Sequence, residues 1–99
     1  MSENPLKVLE RLDPEFLGHV ENTSKFALAD GVLPKRFKLL IAMVLDASVG
    51  AVQGVKTLAQ AAIQAGATKE EVTEALRVAH YISGVGAVYT AAPAFKELF

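Results

Sequence analysis

The chain has no cysteine. It therefore forms no disulfide and offers no thiolate nucleophile, which excludes thiol chemistry in any compartment. It also has no long apolar run. The longest uninterrupted one, Leu39 to Leu45, falls far short of the ~20 residues of a membrane-spanning helix. Neither sign of charge predominates, the formal net charge being −1 at pH 7. Apart from Lys35, Arg36 and Lys38 the basic residues are dispersed, too thinly to track a phosphate backbone, so nucleic acid is not an expected partner. Glu3 and Glu10 interrupt the opening segment MSENPLKVLERLD, which lacks the basic region and continuous apolar stretch of a signal peptide, and a cytoplasmic location is expected. Period-two strands, linkers, low-complexity tracts and internal repeats are missing as well. An all-α fold is what remains.

What the chain has in excess is apolar surface. Its 99 residues are read as one domain, 1–99, with a single small core. Hydrophobic residues make up 52% of the chain, and about 57% when glycine is counted in place of tyrosine, against roughly 45–50% in ordinary soluble domains. With no membrane span to take it up, the excess points to burial between subunits.

Read in order, Asn4 and Pro5 form a cap and first helical residue, opening a short helix to Leu12. Asp13 and Pro14 repeat that signal for a helix to about Ala29, with Phe16, Val20 and Ala27 on one face and Gly31 as its stop. Pro34 opens the next helix. Its first turn carries Lys35, Arg36 and Lys38, which the helix dipole opposes, so tertiary packing must hold it. From Phe37 to Val49 nearly every face is apolar, which marks a helix buried on several sides. Gly50 breaks the pattern. A second apolar stripe follows from Ala51 through Val55, Leu58 and Ala62 to Ala65, with Gly66 as its cap. Thr68 and Glu71 then make a capping box ahead of Val72, Ala75, Leu76, Ala79 and Ile82. Ser83, Gly84 and Gly86 end that helix, and Ala87 to Phe99 forms the last, with Pro93 either kinking it or starting a separate turn.

The order LPKRFKLLIAMVLDASVG, a helix, then QAGATKEEVTEALRVAHYISGVGAV resembles the carboxymuconolactone decarboxylase family, which includes the alkylhydroperoxidase D-like proteins. The resemblance covers mainly residues 33–99, and AGATKEEVTEAL and SGVGA are its most specific parts. It implies an oligomeric bundle of about five to six helices, trimeric or hexameric, with no cofactor. In the redox branch a C-x-x-C pair opens the helix after the glycine, a histidine lies four residues past the second cysteine, and a glutamate lies upstream. Counted from the AGAT segment, the cysteine positions fall on Ala51 and Gly54, the histidine on Leu58 and the glutamate on Leu39. Peroxide or disulfide reduction needs an attacking thiolate, a resolving thiol and a proton relay; aliphatic groups supply none of these. The decarboxylase branch uses polar acid–base groups, for which GAVQGVKTL offers only Gln53, Lys56 and Thr57. The resemblance thus implies a homo-oligomer with a binding or scaffold role. The alternative is a non-redox acid–base enzyme acting on a small carboxylated or cyclic metabolite.

Three residues are candidates for such chemistry. Asp46 lies in an almost wholly apolar helix, where an isolated carboxylate is costly, so it must reach a partner, water or a helix end. It can act as a base or cation ligand, or it can pair with Lys56, Arg77 or a neighbouring subunit; the pairing is the commoner arrangement. Lys56 is the second candidate. His80, beside an apolar stripe and near the Ser83–Gly86 break, could exchange protons near neutral pH, although a boundary histidine with a structural role is more usual. Tyr81 and Tyr89 are placed to line the same region, and His19 to face solvent. No metal site is expected, because two isolated histidines make no recognisable ligand set. Gly84 and Gly86 lack the strand and third glycine of a nucleotide loop and read as a tight helix–helix turn.

Overall fold

The computed structural model describes residues 5–99, so the expected cap at Asn4 lies outside the described residues. A 3-10 turn, Pro5–Val8, runs into α1 (Leu9–Leu12). After it come α2 (Pro14–Leu28), α3 (Lys35–Ser48), α4 (Val52–Gln64), α5 (Lys69–Ser83) and α6 (Gly86–Leu98). No strand occurs among the described residues, and no helix there is long and apolar enough to cross a membrane.

Local chemistry sets most of these boundaries. The Asp13 carboxylate accepts the Phe16 amide at 3.0 Å and Pro14 takes the first helical position, where its missing N–H is not needed. The capping box forms in full. Thr68 Oγ1 accepts the Glu71 amide at 3.0 Å, and Glu71 Oε1 accepts the Thr68 amide at 2.8 Å. α3 and α4 end alike, with a glycine at positive φ (Gly50, +81°; Gly66, +109°). Beyond each glycine, the next amide returns to the helix: Ala51 N–H to the Asp46 carbonyl and Ala67 N–H to the Ala62 carbonyl, both at 2.9 Å. This is the Schellman arrangement, which a side chain at the glycine would strain.

Three expectations are corrected. α2 stops at Leu28, with Ala29 extended, and not at Gly31. The loop is claimed by α3: the Ala29 carbonyl accepts Lys38 Nζ at 2.7 Å, and the Asp30 carboxylate accepts the Lys35 amide at 2.8 Å. Asp30 also sets a negative charge against the basic first turn of α3, the partner that turn needed. On α2 the buried residue is Leu17, while Phe16 is exposed. On α5 the stripe ends at Ala79, and Ile82 is exposed. Of the two readings of Pro93 the separate turn falls away, because α6 runs through the proline.

α3 is the centre, packing on α4, α5 and α6. Its buried face is Leu39, Leu40, Met43 and Ala47, against Val55, Ala59 and Ala62 of α4, Val72 and Ala79 of α5, and Ala87, Ala91 and Ala94 of α6. Alanine dominates this core, so the helices pack closely, and much of the chain's large apolar surface is left outside. The chain exposes 7027 Å², against about 5,400 Å² for a compact monomer of its mass.

Candidate functional site

The α3–α4 elbow holds Ala51 and Gly54, where the sequence resemblance implies the redox cysteines of its relatives. Ala51 caps α4 without a side-chain hydrogen bond, and Gly54 lies one turn in. A Cβ built on Gly54 would lie 3.5 Å from the Cβ of Ala51, at the short end of the ~3.5–4.5 Å that a disulfide spans. That distance would suit a C-x-x-C pair at these two positions, which here carry a methyl group and a hydrogen. Leu58, one turn further on, is half-buried against the core, and Leu39 is fully within it.

The space above Gly54 is filled by Asp46. That same built Cβ would come within 2.0 Å of Asp46 Oδ2 and 2.9 Å of its Cγ, so the half-buried carboxylate lies directly over the glycine. Asp46 belongs to the last turn of α3, where a negative charge opposes the dipole, but its oxygens reach the opening turn of α4, where a negative charge is favoured. Of the destinations open to it from sequence, the carboxylate thus takes a helix end. Within the chain it pairs with neither expected cation: Lys56 is bonded to Glu97 of α6, and Arg77 reaches Glu74 one turn earlier on α5, at 3.9 Å. The signal for this contact in the sequence was the glycine itself, in a stripe otherwise made of residues with side chains.

The three candidates do not converge. His80 is exposed and lines a shallow recess between α5 and α6 with Thr73, Leu76, Arg77 and Val88, which neither Asp46 nor Lys56 enters. Tyr81 and Tyr89 do not line it either; they are 84% and 76% exposed. His19 is exposed, its carbonyl accepting the Thr23 hydroxyl. Among the described residues no group of three or more histidine, aspartate or glutamate side chains is placed to hold a metal ion.

The larger surface feature was not singled out from sequence. Between α3 and α5 runs an apolar groove, one stretch lined by Phe37, Leu40, Ala75 and Val78 with Glu71 and Glu74 at its rim, the next by Leu40, Ile41, Val44, Ala75 and Val78. Leu45 and Ile82 extend the same helix faces at a spacing of four and are 62% and 75% exposed. The helix ends are tied by the Ser83 hydroxyl donating to Ser48 Oγ at 2.8 Å. The legible trace of the groove is the row Phe37, Ile41, Leu45, a second stripe on α3 beside the one that enters the core.

Comparison with known proteins agrees with this architecture. No curated protein matches the chain. The apo crystal structure of a carboxymuconolactone decarboxylase family protein from Legionella pneumophila is similar to it, with a TM-score of 0.86 and 30% sequence identity, covering 92% of this chain and 81% of that one. The carboxymuconolactone decarboxylase family model matches residues 14–97, so the likeness begins at α2, earlier than the sequence motifs reached. With nearly its whole length matched, the chain belongs to the carboxymuconolactone decarboxylase family.

Proposed function

We propose that the chain is a homo-oligomeric, cysteine-free member of its family, trimeric or hexameric, without thiol peroxidase or disulfide reductase activity, whose role is binding or assembly. One observation carries this reading: the elbow keeps the spacing of a thiol pair while Ala51 and Gly54 supply no thiol and Asp46 takes the vacant space. Assembly is supported by the exposed surface. The protomer's 7027 Å² is well over ~1,000 Å² above the compact-monomer expectation, more than the ~800 Å² per partner that a standard interface buries. The test is a peroxide-reduction assay with dithiol reductant alongside light scattering. No turnover above the buffer rate and a mass several times that of one chain are the expected results; peroxide turnover or a folded monomer contradicts the reading.

The position of Asp46 favours a second reading. Half-buried at the elbow and paired with no cation among the described residues, its carboxylate is the group that would serve as base in decarboxylase-like or lyase-like chemistry on a small carboxylated or cyclic metabolite. Because Lys56 and His80 face elsewhere, a second catalytic group would have to come from a neighbouring copy. On this reading Asp46→Asn, which keeps the shape and removes the basicity, abolishes turnover of such a metabolite; unchanged turnover in that variant sinks it.

A further inference from the structure

Among the described residues, two apolar surfaces are left uncovered. One is the α3–α5 groove. The other is the arm formed by α1 and α2, which packs on itself and meets the rest of the molecule mainly at α3. Leu17 is the only buried residue described in the arm, while Leu12, Phe16 and Phe26 are 61%, 52% and 88% exposed. The Cα radius of gyration, 14.2 Å, exceeds the ~13 Å of a compact chain of this length, as an arm standing off a four-helix body requires.

We propose that the α1–α2 arm of a second copy occupies the α3–α5 groove, with Phe16 and Phe26 seated along the row Phe37, Ile41 and Leu45, opposite Val78 and Ile82. The proposal rests on the homo-oligomer reading and names the surfaces that make it. Phe37, Ile41, Leu45, Val78 and Ile82 remain exposed with the chain's own arm in place, so the occupant is not that arm. The dimensions agree. Phe16 and Phe26 lie about 15 Å apart along α2 and within a quarter turn of each other, and the row from Phe37 to Leu45 spans about 12 Å of α3. The area agrees too. Exchange of arms covers two patches on every copy, and the surplus of well over ~1,000 Å² per protomer is what an interface of that extent would remove.

The absence of cysteine makes the test clean. Chains carrying Phe16→Cys and Ile41→Cys are co-expressed and oxidised, so any disulfide joins introduced thiols only. The proposal expects the mixed F16C–I41C dimer as the predominant crosslinked species. It also expects Val78→Glu, an exposed position, to keep the helical circular-dichroism signal while the mass by light scattering falls to that of one 10.5 kDa chain. If V78E loses helicity, Ile82→Glu replaces it. An oligomeric parent that gives no mixed crosslink, or whose folded groove variant keeps the parental mass, overturns the arm-in-groove contact and leaves the oligomer reading standing. A monomeric parent at micromolar concentration overturns both.

Discussion

Gly54→Ala probes the elbow directly, because two effects of opposite sign meet at that position. Alanine in place of glycine in a helix is worth up to about 1 kcal/mol. Here the new Cβ would stand 2.0 Å from Asp46 Oδ2, so either the carboxylate swings off the opening turn of α4 or the two helices shift apart. Overpacking of this kind costs about 1–3 kcal/mol. The steric term outweighs propensity, and the substitution is expected to destabilise the protein by up to about 2 kcal/mol. In an Asp46→Ala background nothing stands over the glycine, and the same substitution becomes stabilising by up to about 1 kcal/mol. A double-mutant cycle in urea, with the four proteins at one concentration so that assembly contributes equally, therefore gives a coupling of about 1–3 kcal/mol. Additivity to within about 0.5 kcal/mol would refute the placement of Asp46 over Gly54 and, with it, the account of why no side chain stands there.

Other outcomes follow from the same contacts. Ala51→Cys with Gly54→Cys should close a disulfide, scored by thiol titration after mild oxidation, far more readily when Asp46→Ala is added than when the carboxylate is kept. Thr68→Ala removes the capping hydroxyl from Glu71 and should cost about 0.5–2 kcal/mol, read as a fall in Tm of about 4–8 °C per kcal/mol for a chain of this size. Asp30→Ala removes the acceptor of the Lys35 amide and the negative charge beside the basic first turn of α3, with an expected loss of about 1 kcal/mol in chemical denaturation. Lys56→Met, which breaks a pair that is substantially exposed, should move stability by less than about 1 kcal/mol in the same assay.

Features closed within a few residues were legible in the sequence. Gly66, Thr68 and Glu71 announce a helix end and a helix start because their hydrogen bonds span three to five positions, and Asp13 with Pro14 does the same for α2. The all-helical architecture followed from such punctuation and from the apolar spacing of α3 to α5, and the family from the resemblance of the AGATKEEVTEAL and SGVGA segments. Features set by distant partners were not legible. Where α2 ends depends on Lys38, nine positions beyond the carbonyl it seizes. Whether Asp46 could pair with Lys56 depends on Glu97, which holds that lysine from the far end of the chain. The choice of Leu17 over Phe16, and the exposure of Ile82, turn on which faces the small-residue core has room to bury. In the candidate site, the positions without thiols could be counted from the motif, but the carboxylate over Gly54 is marked only by a missing Cβ, which no periodicity reports.

The central claim, that this chain works as an assembly and not as a thiol enzyme, is tested most directly by light scattering coupled to size exclusion on the unmodified protein at micromolar concentration. The account predicts a single species whose mass is a multiple of 10.5 kDa, three or six chains by family likeness. A well-folded particle of 10.5 kDa under those conditions would contradict it, because the apolar surface of the α3–α5 groove and of the arm would then have no partner.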